Sequence, residues 1–180
     1  MSLGAKLWDK DKAISALTST LADQSIGLRI AACNSLGIIG DDRAVGPLLH
    51  LLDRDPDSSV KIAAIQALRT LGDERARSPL IRVLGDNDIE GTVRGVAAEA
   101  LIRFAGTESF LALVKALNDE SVEVRYDAAF ALGETGNKEA IPYLRNLADS
   151  DNAVFEPYGS VRQEALDALR KLEPASADKH

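Results

Sequence analysis

The sequence predicts an all-α solenoid of five stacked helix hairpins, and three observations predict it. First, one string occurs five times: a branched or aliphatic residue, a basic residue, an alanine three positions on, and a leucine four beyond that. It reads Leu28-Arg29-Ala32-Leu36, Val60-Lys61-Ala64-Leu68, Val93-Arg94-Ala97-Leu101, Val124-Arg125-Ala128-Leu132 and Val161-Arg162-Ala165-Leu169. Second, the basic residues stand 32, 33, 31 and 37 positions apart, a period that fits one helix hairpin per repeat. Third, Gly40, Gly72, Gly106 and Gly136 follow the first four strings, where a left-handed residue commonly ends a helix.

The elements follow in order along the chain. Residues 1–12 are expected to form an N-terminal arm or cap, with Trp8 covering the open end of the first repeat, because terminal repeats need a cap. Residues 13–173 form the solenoid. In each repeat the string marks the second helix, helix B, whose apolar residues recur every three or four positions on one stripe. Upstream of each lies a helix A, marked by Leu17 and Leu21, Leu48 and Leu52, Leu80 and Leu84, Leu113 and Leu117, and Leu144 and Leu147. Asp41, Asp73, Thr107 and Asn137 follow the glycines and are expected to cap the next helix A through their side-chain oxygens. Pro47, Pro79 and Pro142 recur early in the A segments, where a helix either kinks or begins, since an interior proline costs about 3 kcal/mol. Repeat five carries an insertion, residues 152–159, after which Ser160 and Gln163 read as a capping box restarting the helix. Residues 174–180 are expected to be a mobile tail.

Composition narrows the functional classes. A net charge of −7 argues against broad phosphate binding, which relies on clustered Lys and Arg, so nucleic acid is not expected as a partner. The start of the chain lacks the charged-then-apolar layout of a secretory signal, and 27% of residues are charged. A soluble, cytoplasmic protein with no membrane partner is the expectation. Cys33 is the only cysteine, which rules out an intrachain disulfide and leaves too few thiolates for a zinc site. It holds the place of Ile65, Ala98, Ala129 and Leu166 in the other strings, so it reads as a packed hydrophobe.

Two stretches carry a family likeness. The string Val124-Arg125-Tyr126-Asp127-Ala128-Ala129-Phe130-Ala131-Leu132-Gly133 and the segment running from Gly40 to Leu48 resemble HEAT repeats of the short type found in phycobilisome lyases. The resemblance covers about residues 13–173. It implies a right-handed α-α superhelix whose B helices line an inner, concave wall, commonly the binding face. It does not extend to two groups of enzymes in the family. The HEAT-like deoxyhypusine hydroxylases hold iron through His-Glu pairs, yet His50 precedes Leu51 and His180 ends the chain. The HEAT-like DNA glycosylases use a basic groove, whereas this chain is acidic and 4% aromatic. Tetratricopeptide repeats carry a Trp, Tyr and Phe pattern not found here.

At 100° per residue, the positions one, five and eight after each basic residue point away from the string's Val, Ala and Leu. They read Ile30, Asn34, Gly37; Ile62, Gln66, Arg69; Gly95, Glu99, Ile102; Tyr126, Phe130, Gly133; and Gln163, Asp167, Arg170. Of these, Ile30, Ile62, Gln66, Arg69, Glu99, Ile102, Tyr126, Phe130 and Gln163 are the candidate partner-binding residues. An apolar strip on such a face marks either a contact site or packing against the adjoining repeat. Tyr126 and Phe130, four apart, are expected to sit together as an aromatic anchor. Phe155 and Tyr158 of the insertion either reach toward a ligand or fold back to seal the last repeat. The recurring basic residues are expected to pair with loop aspartates, Asp23, Asp53, Asp86, Asp119 and Asp151, in a ladder between repeats.

No catalytic, metal or cofactor-binding residue stands out. The leading expectation is a non-enzymatic scaffold or adaptor that grips a helix or extended segment of another protein along a groove on the order of 40 to 50 Å long. The alternative, implied by resemblance alone, is a phycobilin lyase or bilin-handling subunit working with a second HEAT-like chain. Glu99 and Glu134 are the only acidic residues this reading places near the aromatic pair.

Overall fold

The computed structural model describes residues 3–173, with side chains from residue 9 onward. Trp8 and the 174–180 tail therefore lie outside the described side chains. Among the described residues ten α-helices form five consecutive pairs, the all-α hairpin repeat that the string predicts: α1 (Leu3–Thr20) and α2 (Ile26–Ile39), α3 (Val45–Arg54) and α4 (Ser58–Leu71), α5 (Arg77–Leu84) and α6 (Gly91–Ala100), α7 (Thr107–Ala116) and α8 (Val122–Thr135), α9 (Ile141–Ser150) and α10 (Val161–Leu172). Helix α1 runs unbroken across the expected boundary at residue 12, so the first A helix reaches back to Leu3. Among the described residues no helix is long and apolar enough to cross a membrane.

The chain divides into two compact units, Met1–Pro79 and Leu80–His180. In the first, α1 packs on α2, α3 on α4, and α2 against α4. In the second, α7 packs on α8 and α9 on α10, while α6, α8 and α10 form a row of neighbouring B helices. The string supplies the core of each. Val60, Val93, Val124 and Val161 are fully buried, and so are the inward leucines Leu48, Leu80, Leu113 and Leu144. Each such leucine contributes roughly 1.5–3 kcal/mol by leaving water. The exception is Leu28, which opens the first string and is 49% exposed.

Local chemistry sets the breaks. Gly40, Gly72 and Gly136 adopt left-handed φ of 67°, 67° and 70°, a conformation a Cβ would strain, and their amides return to carbonyls of the last helical turn. Gly106 differs: it is extended and precedes α7, so Thr107 is the first residue of that helix and not its cap. Asp41, Asp73 and Asn137 do cap, but they cap short 3-10 turns placed before helix A. Their side chains accept the amides of Arg43, Arg75 and Glu139 at 3.1, 2.9 and 3.0 Å. The prolines then fall in the first turn of α3, α5 and α9, where a missing amide breaks no helical hydrogen bond. Helix A begins one or two residues before each proline.

The insertion adds a short ribbon to the all-α frame. Val154–Phe155 (β1) and Gly159–Ser160 (β2) pair antiparallel, with Val154 opposite Ser160 and Phe155 opposite Gly159. This ribbon packs on α8 and leads directly into α10, whose first turn is capped by Ser160 Oγ accepting from the Gln163 amide at 3.1 Å. The Gln163 side chain donates through Nε2 to Asp167 Oδ1 at 3.2 Å.

Candidate functional site

The recurring basic residues belong to the frame. Arg29 Nε donates to Asp55 Oδ2 at 2.7 Å, Arg94 Nη2 to Asp119 Oδ1 at 2.7 Å, and Arg125 Nε to Asp151 Oδ2 at 2.6 Å. In each case the carboxylate follows the next helix A, so the ladder joins neighbouring repeats. Burial works against the charge on Asp151, but Arg125 and the Ala153 amide outweigh it and hold the carboxyl below the usual range. Three rungs depart from expectation. Arg29 takes Asp55, not Asp53, and Lys61 donates to the Leu52 carbonyl at 3.0 Å in place of an aspartate. Arg162, in the last B helix, is exposed and has no ion-pair partner among the described residues.

The candidate face is partly seam. Gly37 lies so close to α4 that a Cβ there would meet Ala67 Cα at 3.2 Å, and a Cβ on Gly133 would meet Ala168 Cβ at 2.8 Å. A Cβ on Gly95 would collide with the Asp127 carboxylate. These three positions, expected to face a partner, are buried between adjacent B helices, because only a hydrogen side chain lets the helices approach so closely. The other positions keep some surface. Ile30, Ile62, Glu99, Ile102, Tyr126 and Phe130 are half-buried, while Gln66, Arg69 and Gln163 are exposed. Ile102 stands on a 3-10 turn, Leu101–Phe104, that follows α6.

In the second unit the insertion completes an aromatic cluster. The Tyr126 ring meets Phe155 edge-on at 5.5 Å between centroids and Tyr158 at 6.4 Å, and Phe155 lies 5.0 Å from Tyr158. Tyr126 Oη donates to the Tyr158 carbonyl at 3.3 Å. Phe155 and Tyr158 thus fold back onto α8, yet Tyr158 stays 67% exposed and Val154 56% exposed. Tyr126 and Phe130 do not form the expected pair. Phe130 instead carries the Lys171 ammonium 4.9 Å from its ring centre, and that ammonium also donates to Glu134 Oε1 at 2.6 Å.

Two carboxylates act on Tyr126, those of Glu164 and Asp127. Asp127 of α8 is pushed up to about 7, chiefly by burial and then by the negative charges of Glu99, Glu123 and Glu164. Glu164 of α10 is only 8% exposed. Tyr126 is raised to about 12 by burial and by Glu164 and Asp127. A signal for these residues exists in the sequence: two places after the basic residue the strings read Ala31, Ala63 and Val96, then Asp127 and Glu164. A charge where earlier repeats hold a small or apolar residue marks a departure from what packing alone requires.

Cys33 is fully buried, and burial, followed by the Asp55 charge, pushes its thiol up to about 11. It packs as a hydrophobe and is far from a reactive thiolate. His50 is exposed on α3. Among the described residues no group of three or more His, Cys, Asp and Glu is arranged to hold a metal ion. The second unit carries aromatic rings and carboxylates on its B helices and ribbon.

Among curated protein sequences none matches this chain. Solved structures share its fold. A designed armadillo repeat protein in complex with the peptide (KR)4 is 21% identical with a TM-score of 0.58, covering 93% of this chain and 84% of that one. Escherichia coli YIBA is 20% identical with a TM-score of 0.53, covering 92% and 70%. The CpcE–CpcF phycocyanin lyase complex of a Nostoc strain is 20% identical over 90% and 83%, with a TM-score of 0.43, too weak a likeness to bear on function. HEAT repeats match residues 1–69, 45–114 and 110–179, and with the five hairpins and their ladder this places the chain in the HEAT-repeat family.

Proposed function

We propose that this chain is a protein-interaction module that binds a segment of a partner protein on the B-helix surface of its second unit, at Tyr126, Phe155 and Tyr158. The observation that carries the reading is the aromatic cluster itself. The fifth repeat departs from the pattern with an insertion that folds onto α8 and leaves a tyrosine ring largely in solvent. Packing does not require that exposure, and exposed aromatic clusters on a rigid frame are typical interface anchors. The helical-repeat frame supports the reading, since such repeats present extended surfaces to partners. Ile30, Ile62, Gln66 and Arg69 of the first unit, and Glu99, Ile102, Phe130 and Gln163 of the second, are proposed as further contacts from their register in the repeat.

The test uses the full chain carrying a photo-crosslinking phenylalanine analogue at position 158. A protein crosslinked there in extract of the native host, and no longer retained by a Tyr126→Ala, Tyr158→Ala double variant of unchanged circular dichroism, is the expected result. Retention of that protein by the double variant removes the site from the interface.

A further inference from the structure

We propose that a second copy of this chain stacks on the first, the open face of α10 in one copy against the open face of α2 in the other, with Arg162 of one paired to Asp23 of the other. Neither face includes the aromatic cluster of the proposed interface.

The ladder leaves two half-rungs. Within each unit a rung runs from the basic residue of one B helix to the aspartate that follows the next helix A: Arg29 to Asp55, Arg94 to Asp119 and Arg125 to Asp151. Arg162 holds the basic position in α10, and the register is the same, since Ala168 meets Gly133 as Ala67 meets Gly37. It is exposed, and no carboxylate pairs with it among the described residues. Asp23 holds the matching acidic position. It stands six residues before Arg29, as Asp55 does before Lys61 and Asp119 before Arg125. All three accept the amide two residues on, from Ser25, Asp57 and Ser121 at 2.8, 3.0 and 2.8 Å. Arg29 Nη1 donates to the Asp23 and Gln24 carbonyls, as Arg125 Nη1 does to those of Asp119 and Glu120. The acidic turn is therefore built like the others, but no cation reaches its carboxylate among the described residues. One face lacks an anion and the other a cation, and this chain carries both.

The apolar positions beside each half-rung are open as well. Leu166 is 38% exposed, whereas Cys33, Ile65, Ala98 and Ala129, which hold its place in the earlier strings, are fully buried. Leu28 is 49% exposed, against full burial of Val60, Val93, Val124 and Val161. At 100° per residue Leu166 lies on the side of α10 opposite Ala168, which meets α8, and Leu28 on the side of α2 opposite Gly37, which meets α4. Ala31, on the same side as Leu28, is exposed where its counterpart Ala63 is buried, and its small side chain allows close approach. Repeats gain stability from the interface with a neighbour, and a repeat that ends a stack carries a polar outer face. These two faces are apolar where neighbours bury their counterparts. Like faces would set Arg162 against Arg162 or Asp23 against Asp23, so the charges select a contact between unlike faces, which can repeat from copy to copy.

The experiment is sedimentation of the full chain over a concentration series, with circular dichroism as the check on folding. The mass is expected to rise with concentration above that of one copy. Arg162→Asp and Asp23→Arg each bring like charges together and are expected to weaken association about tenfold or more. An equimolar mixture of these two variants is expected to restore it, because Asp at 162 then meets Arg at 23 and the unchanged Arg162 meets the unchanged Asp23. Leu166→Glu and Leu28→Glu each block one face. Alone, each is expected to lose association by a similar factor or more, and their mixture to form a pair and nothing larger. All four of these variants are read against unchanged circular dichroism, and the leucine variants carry the test if Asp23→Arg loses helix. A mass of one copy at every concentration, association that Arg162→Asp and Leu166→Glu leave unchanged, or folded variants whose mixtures stay as single copies overturns the proposal.

Discussion

Helices α2 and α4 of the first unit and α8 and α10 of the second occupy the same places in the repeat, yet they carry different surfaces. Both pairs share one seam, a glycine on the earlier helix against an alanine on the later: Gly37 against Ala67, and Gly133 against Ala168. Upstream of that seam the first pair has Ile30 and Ala31, and Ile62 and Ala63, whereas the second has Tyr126 and Asp127, and Gln163 and Glu164. The frame needs small residues where backbones touch and a basic residue where repeats join. Positions outside those demands are free to vary, and in the second unit they vary toward rings and carboxylates.

The ladder offers the largest test of that comparison. Arg94 is 2% exposed and its partner Asp119 9%, so Arg94→Ala strands a buried carboxylate and is expected to cost about 3–5 kcal/mol in urea unfolding. Lys61→Ala removes only a bond to the Leu52 carbonyl, and about 1 kcal/mol is expected. Equal losses at the two positions would mean that the basic residue serves its own helix and not the joint between repeats.

The seams come next. Gly133→Ala forces a Cβ to within 2.8 Å of Ala168 and is expected to cost about 1–3 kcal/mol. Gly37→Ala meets Ala67 at 3.2 Å, where a small shift suffices and the gain in helix propensity, up to about 1 kcal/mol, offsets much of the strain. Its melting temperature is expected to stay near that of the parent. A larger loss at Gly37 would invert the order of tightness that the geometry assigns.

Asp127 sharpens the contrast in charge. Its folded carboxyl titrates near 7 against an ordinary value of 3.8, so the folded state favours the protonated form. That contribution to stability is complete below about pH 4 and is lost as the pH rises through 7. Asp127→Asn removes the loss. At pH 8 the variant is expected to gain about 1–2 kcal/mol after solvent screening, and to show a flatter unfolding profile between pH 4 and 8. A parent profile as flat as that of the variant would show that burial and the neighbouring carboxylates do not raise it.

The smallest effect belongs to Tyr158. It makes ring contacts to Tyr126 and Phe155 but stays mostly in solvent, so Tyr158→Ala is expected to cost less than about 1 kcal/mol in thermal unfolding. A loss several times greater would mean that the ring seals the fifth repeat and is not displayed by it.

Much of the frame was legible in the linear order. Periodicity named the B helices, glycines marked three of four B-helix ends, and the string located buried Val60, Val93, Val124 and Val161. The candidate surface was legible only in part. The 100° rule puts Tyr126 and Phe130 one turn apart on α8, but Phe130 is met by Lys171 from 41 positions downstream and Tyr126 by the ribbon. Neither event leaves a local trace, because both depend on which residues of α10 and of the insertion arrive beside α8.

By itself the sequence determined the repeat, its punctuation and the ladder's basic residues, since these follow from helix periodicity, backbone conformation at glycine, and a role repeated at every joint. Only the tertiary structure decided that Gly37, Gly95 and Gly133 belong to a seam, that Asp55 and not Asp53 meets Arg29, and that Asp127 and Glu164 share one acidic neighbourhood with three aromatic rings. Those outcomes are set by distances between helices far apart in the chain. Contact chemistry depends on the approach of one helix to the next, and a pattern within one helix cannot encode it.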